Sequence, residues 1–108
     1  MSTNNQSEPA LACNLDALDA GQQERHQQVG EQVWAVMQEV KELANGYAFR
    51  LPAEAPVLLA AAEFISLERL CCPFFTFVLE VGPEHGPIWL QLTGPDGVKR
   101  FLQTELGL

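Results

Sequence analysis

The apolar period of the chain changes at Pro73. Before it, residues 56–71 place apolar side chains at the three- and four-residue spacing of a helix. Pro56 suits the first turn of that helix. Pro73 ends it, because the residue before a proline avoids the helical region. After the break, Phe74 to Val81 is aromatic and branched and reads as a strand. Gly82-Pro83-Glu84-His85-Gly86-Pro87 turns the chain, and Ile88 to Thr93 is its antiparallel hairpin partner. A helix that feeds directly into a hairpin needs a sheet with helices laid on it.

The remaining segments fit that frame. Asp19 is placed as a helix N-cap, with Gln22 as its capping-box partner. Val29, Val33, Val36, Met37, Val40 and Leu43 continue at helical spacing, and Asn45-Gly46 is a C-terminal stop, so the first helix is expected over 20–44. Tyr47 to Leu51 alternates and reads as a strand closed by Pro52. Gly94-Pro95-Asp96-Gly97 turns the chain, with Asp96 as a cap. Val98, Phe101, Leu102 and Leu106 mark a short last helix. Leu11 to Leu15 alternates weakly, as a short strand would. Residues 1–9 are polar and read as a flexible tail. The expectation is one α+β domain over 10–108: a two-layer sandwich with a mainly antiparallel sheet of three or four strands and about three helices. A chain of 108 residues, 47% apolar, has enough material for one core without staples.

Charge narrows the partners. Six basic residues against fourteen acidic ones give −8, so no basic face exists for a nucleic acid or an anionic membrane. No apolar run reaches membrane-span length, and the opening MSTNNQSEP lacks signal-peptide features, which points to a cytoplasmic setting. Cys13, Cys71 and Cys72 are an odd set with no C-x-x-C spacing. Neighbouring cysteines pair only through a strained ring, and reduced thiols are the simple reading in a cytosol.

One constellation carries chemistry. On a wheel of about 100° per residue, Val57, Ala61, Phe64 and Ile65 share one face of the second helix with Cys71 and Cys72. Glu68 lies in the middle of that stripe. A carboxylate on an apolar face is costly unless it is paired, hydrogen-bonded or protonated. Beside two thiols it suggests a soft-ion site, since thiolates select Cu(I), Zn(II), Hg(II) or As(III). Cys13 is then a third sulfur, and Glu68 or His26 a further ligand. It equally suggests thiol redox chemistry, with Cys71 or Cys72 attacking, a second cysteine resolving and Glu68 moving a proton. A reactive thiolate would need a cation, and Arg50 or Arg69 is the local candidate.

Plain readings stand beside these. Cysteine often serves as a small buried hydrophobe. Glu68 has an ordinary ion pair with Arg50 as its alternative. His26, among glutamines, and His85, in a Gly/Pro loop, read as solvated side chains. Phe74, Phe75 and Phe77 read as core, or as an apolar patch joining a homodimer.

Three pieces, GYAFRLP at 46–52, EFISLERLCCPFF at 63–75 and IWLQLTGPDGVK at 88–99, resemble together a family of small bacterial proteins of about this length. The likeness spans residues 11–106, and its L-E-R-x-C-C-P-F-F segment is the distinctive part. The family carries a cysteine near its amino terminus, where Cys13 stands. The resemblance implies one fold unit in a bacterial cytoplasm and brings no activity, cofactor or catalytic assignment.

The first functional expectation is a small cytoplasmic protein that binds a soft metal or metalloid ion through Cys71, Cys72, Cys13 and Glu68, for sequestration, sensing or detoxification. The second is a thiol-dependent redox enzyme acting on a thiol-reactive small molecule, with Cys71, Cys72 and Glu68 as its catalytic groups. The third is a non-catalytic interaction module.

Overall fold

The computed structural model describes residues 11–108; the expected tail, 1–9, lies outside the described residues. A short 3-10 turn, Leu15–Ala17, leads into helix α1, Ala20–Ala35. Strands β1, Glu39–Leu43, and β2, Gly46–Leu51, follow. Helix α2, Ala55–Cys71, comes next, then β3, Thr76–Val81, β4, Ile88–Thr93, and helix α3, Val98–Leu106. The four strands form one antiparallel sheet in the order β1-β2-β4-β3. The expected α+β sandwich is therefore the fold, with four strands and three helices.

Register explains which face of the sheet is buried. Phe49 of β2 stands opposite Leu90 of β4 and Val40 of β1, and Leu90 stands opposite Leu79 of β3. Tyr47–Leu92 and Leu51–Ile88 flank that row on the same face. Phe49, Leu51 and Leu90 are fully buried and join Val29, Val33, Ala61 and Phe64 from the helices in one core. Each of the large side chains contributes about 1.5–3 kcal/mol by leaving water. Phe74, Phe75 and Phe77 pack among themselves and, for the first two, against Phe101 of α3. Phe75 belongs to the core, as one of the plain readings had it, and Phe74 and Phe77 pack partly buried against it.

Five local expectations are corrected. The helix expected over 20–44 stops at Ala35, and Glu39–Leu43 is a strand. Val36 leaves the helix with φ −109° and ψ 7°, and its N–H turns back to Val33 O at 3.3 Å. Asn45-Gly46 belongs to a hairpin turn, since Leu43 already pairs with Gly46. Leu11 to Leu15 forms no strand; the segment crosses the end of α2 and winds into the 3-10 turn. Strand β3 begins at Thr76 rather than Phe74, because Phe74 and Phe75 are taken up by the turn after Pro73. Asp96 does not cap α3; Gly97 holds the N-cap in the left-handed region at φ 98° with no side-chain cap. The Asp19–Gln22 capping box is present in both directions.

No helix among the described residues is long and apolar enough to cross a membrane.

Candidate functional site

Helix α2 delivers two of the site residues from its last turn. Its inward stripe runs Val57, Ala61, Phe64 and Cys71, all buried, with Glu68 on the same face at 13% side-chain exposure. Cys71 is the last helical residue. Cys72 caps the helix: its N–H still reaches Glu68 O at 2.7 Å, while its own backbone is extended at φ −126° ahead of Pro73. Both cysteines are fully enclosed.

The third cysteine arrives from the front of the chain. Asn14 N–H donates to Cys71 O at 2.7 Å and lays residues 11–14 across the end of α2. The Asn14 side chain accepts from Asp16 N–H, and Gln23 Nε2 donates to Leu15 O and Leu18 O, which ties the segment to α1. Cys13 is thereby joined to Cys72 as a disulfide, with Cα atoms 4.5 Å apart across 59 residues. The expectation of three reduced thiols is corrected here; the odd count leaves Cys71 as the free cysteine among the described residues.

Glu68 is the hub. His26 Nε2–H donates to Glu68 Oε1 at 2.6 Å, and the Cys71 thiol donates to the same oxygen at 3.7 Å. The Cys71 sulfur also stands 3.6 Å from Glu68 O and 3.7 Å from Cys72 Sγ. These partners meet the cost of placing a carboxylate on an apolar face. Arg50 is not its partner: it pairs with Glu39 at 3.8 Å on the sheet. Arg69 is exposed. Arg25 forms a two-pronged pair with Glu63 at 2.7 and 2.8 Å, clamping α1 to α2 outside the site.

Of the two readings of His26, a further ligand and a solvated side chain, the solvated one is corrected: the side chain lies in the site. Its ring stacks on Phe64, centroids 5.6 Å apart, and its side chain is 21% exposed. The signal was in the sequence, since His26 precedes Val29, Gly30 and Val33 by three, four and seven residues, on the buried stripe of α1. His85 sits exposed in the β3–β4 turn at φ 59° and lies apart from the site.

Two ligand sets result. Cys13, Glu68 and Cys72 offer donor atoms within 4.8 Å of one another, as do His26, Glu68 and Cys71. Glu68 belongs to both. Cys13, Cys71, Cys72 and Glu68, the residues the sequence singles out, are thus brought to one place. Burial first, then the Glu68 charge and its hydrogen bond, push the Cys71 thiol up to about 11. No cation among the described residues offsets them. At neutral pH the thiol is therefore held protonated.

Compared with known protein families, with curated proteins and with solved structures, the chain matches none.

Proposed function

We propose that the chain, with its Cys13–Cys72 bridge reduced, binds a soft metal or metalloid ion on the sulfurs of Cys13, Cys71 and Cys72. Glu68 serves as an added ligand or as the base that takes up thiol protons, and His26 fixes its carboxylate. The role is sequestration, sensing or detoxification. The observation that carries this reading is the convergence of three sulfurs on one carboxylate: Cys71 Sγ lies 3.7 Å from Cys72 Sγ, which is bonded to Cys13. Soft ions exchange oxygen ligands for such sulfurs, whereas structural zinc draws its thiols from spaced positions.

Native mass spectrometry of the reduced chain, alone and with Zn(II), Cu(I), Hg(II) or As(III), tests the reading. One ion per chain should bind, and C71S/C72S should not hold it. A chain that takes up none of the four, or a double variant that binds as well, overturns it.

The disulfide favours a second reading, thiol–disulfide exchange. Attack by Cys71 on Cys72 Sγ would form a Cys71–Cys72 bond and release Cys13 as the leaving thiolate, with the Cys71 proton passing to Glu68. A thiol pushed up to about 11 is a poor attacker, which ranks this reading second. Alkylation of Cys71 at neutral pH faster than that of a free thiol would reverse the order.

A further inference from the structure

Cys13, His26, Glu68 and Cys71 line an open pocket of about 1140 Å³. Beside them the wall is apolar over Leu11, Trp34, Phe64, Phe75, Phe101 and Leu106, with a polar part that includes Glu31, Arg100 and Glu105. A bare ion completes its coordination with the sulfurs and uses none of that space. The volume instead slightly exceeds the usual range of small-molecule sites, ~300–1,000 Å³.

Gly30 points the same way. It lies inside α1 with ordinary helical geometry, where glycine weakens a helix relative to alanine. A Cβ there would meet only Phe64 ring atoms, at 3.7 and 3.8 Å, so no clash demands glycine. What its missing side chain does is leave room over Phe64, in the wall of the pocket. Phe64 itself is held between the stacked His26 ring and the edge of Trp34, 5.5 Å away.

We infer that the ion arrives with an apolar organic group attached, and that this group lies in the aromatic pocket while the thiols hold the metal or metalloid. The inference rests on the soft-ion reading and names its substrate class: trivalent organoarsenicals and their soft-metal counterparts. The binding step is a ligand exchange without oxidation or reduction. For an organoarsonous acid two As–O bonds break and two As–S bonds form. Two thiol protons leave with the two hydroxides as water. Inorganic arsenite needs three such exchanges to fill its coordination with sulfur, and an organoarsenical needs two.

The test titrates the reduced full chain with phenylarsonous acid, methylarsonous acid and arsenite, following tryptophan fluorescence and confirming stoichiometry by mass spectrometry. Each affinity is referred to that of a free dithiol. The phenyl compound should bind at least tenfold tighter than the methyl one after that correction. Each single Cys→Ser variant should lose arsenite about a hundredfold and keep phenylarsonous acid within tenfold. Gly30→Leu, which covers the Phe64 wall of the pocket, should abolish the phenyl preference and leave arsenite binding intact. Equal corrected affinities for phenyl and methyl in the unsubstituted chain overturn the inference while ion binding stands. Absence of binding by all three compounds overturns the inference, and the soft-ion reading falls with it only if Zn(II), Cu(I) and Hg(II) also fail to bind.

Discussion

Glu68 Oε1 accepts from both His26 and Cys71, so one oxygen links a partly exposed imidazole to an enclosed thiol. Cys71 holds its proton more tightly folded, at about 11, than its ordinary 9.0. The folded state therefore binds more protons than the unfolded chain in that interval. The stability this group contributes is fully present below pH 9 and is lost as pH rises to about 11. Urea midpoints should fall across that window more steeply in the natural chain than in Cys71→Ala; parallel profiles would contradict it. Glu68→Gln should bring the Cys71 thiol down from 11 and leave it above 9, because burial is the largest cause and remains. Thiolate absorbance during a pH titration reads this directly. At this scale much was legible. Helical spacing alone set Glu68 among the cysteines on α2, and a buried carboxylate needs a partner. In the sequence His26 stands between a further ligand and a solvated side chain because its glutamine neighbours mask its place on the stripe of α1, and the Cys13–Cys72 bond depends on the path of residues 11–14, which no local pattern encodes.

Element boundaries follow the same division between local and distant causes. The α2 helix and the β3–β4 hairpin were readable because Pro73 and the Gly/Pro turn punctuate the chain. The stretch from Val36 to Leu43 was not. Its apolar residues satisfy a helix, and Val40 also satisfies a strand facing Phe49. Pairing with β2 decides between them, and that pairing is tertiary. Asn45-Gly46 is equally ambiguous, since it ends helices and turns hairpins. Gly46 has a further reason to be glycine. A Cβ there would sit 2.0 Å from Leu92 O in the neighbouring strand. Gly46→Ala should cost about 3 kcal/mol or more by forcing β2 from β4. Gly21→Ala, whose Cβ would meet only Asp19 Oδ1 at 3.5 Å, should instead stabilise α1 by about 0.5–1 kcal/mol. Denaturant melts of the two variants check the contrast, and equal effects would refute the steric argument.

At the scale of the molecule, the Cys13–Cys72 bond closes a loop spanning 59 residues around α1, β1, β2 and α2. Loop-closure entropy predicts that reduction, or Cys13→Ser, lowers unfolding stability by about 3–4 kcal/mol. Chemical denaturation with and without reductant measures this, and an unchanged midpoint would show that the unfolded chain is not constrained by the bond. Strands β3 and β4 stand outside that loop. The sheet is two hairpins laid side by side, each formed between near neighbours in sequence, and their seam is the β2–β4 pairing from Gly46↔Thr93 to Leu51↔Ile88. Closing the seam brings together residues separated by the whole of α2 and β3, so the hairpins can assemble quickly and the joining comes late. Leu90→Ala at the seam should therefore slow refolding, and Val78→Ala on the outer strand should chiefly speed unfolding. The slow event of folding lies in the middle of the sheet, between one half of the chain that a covalent link can shorten and another that it does not reach.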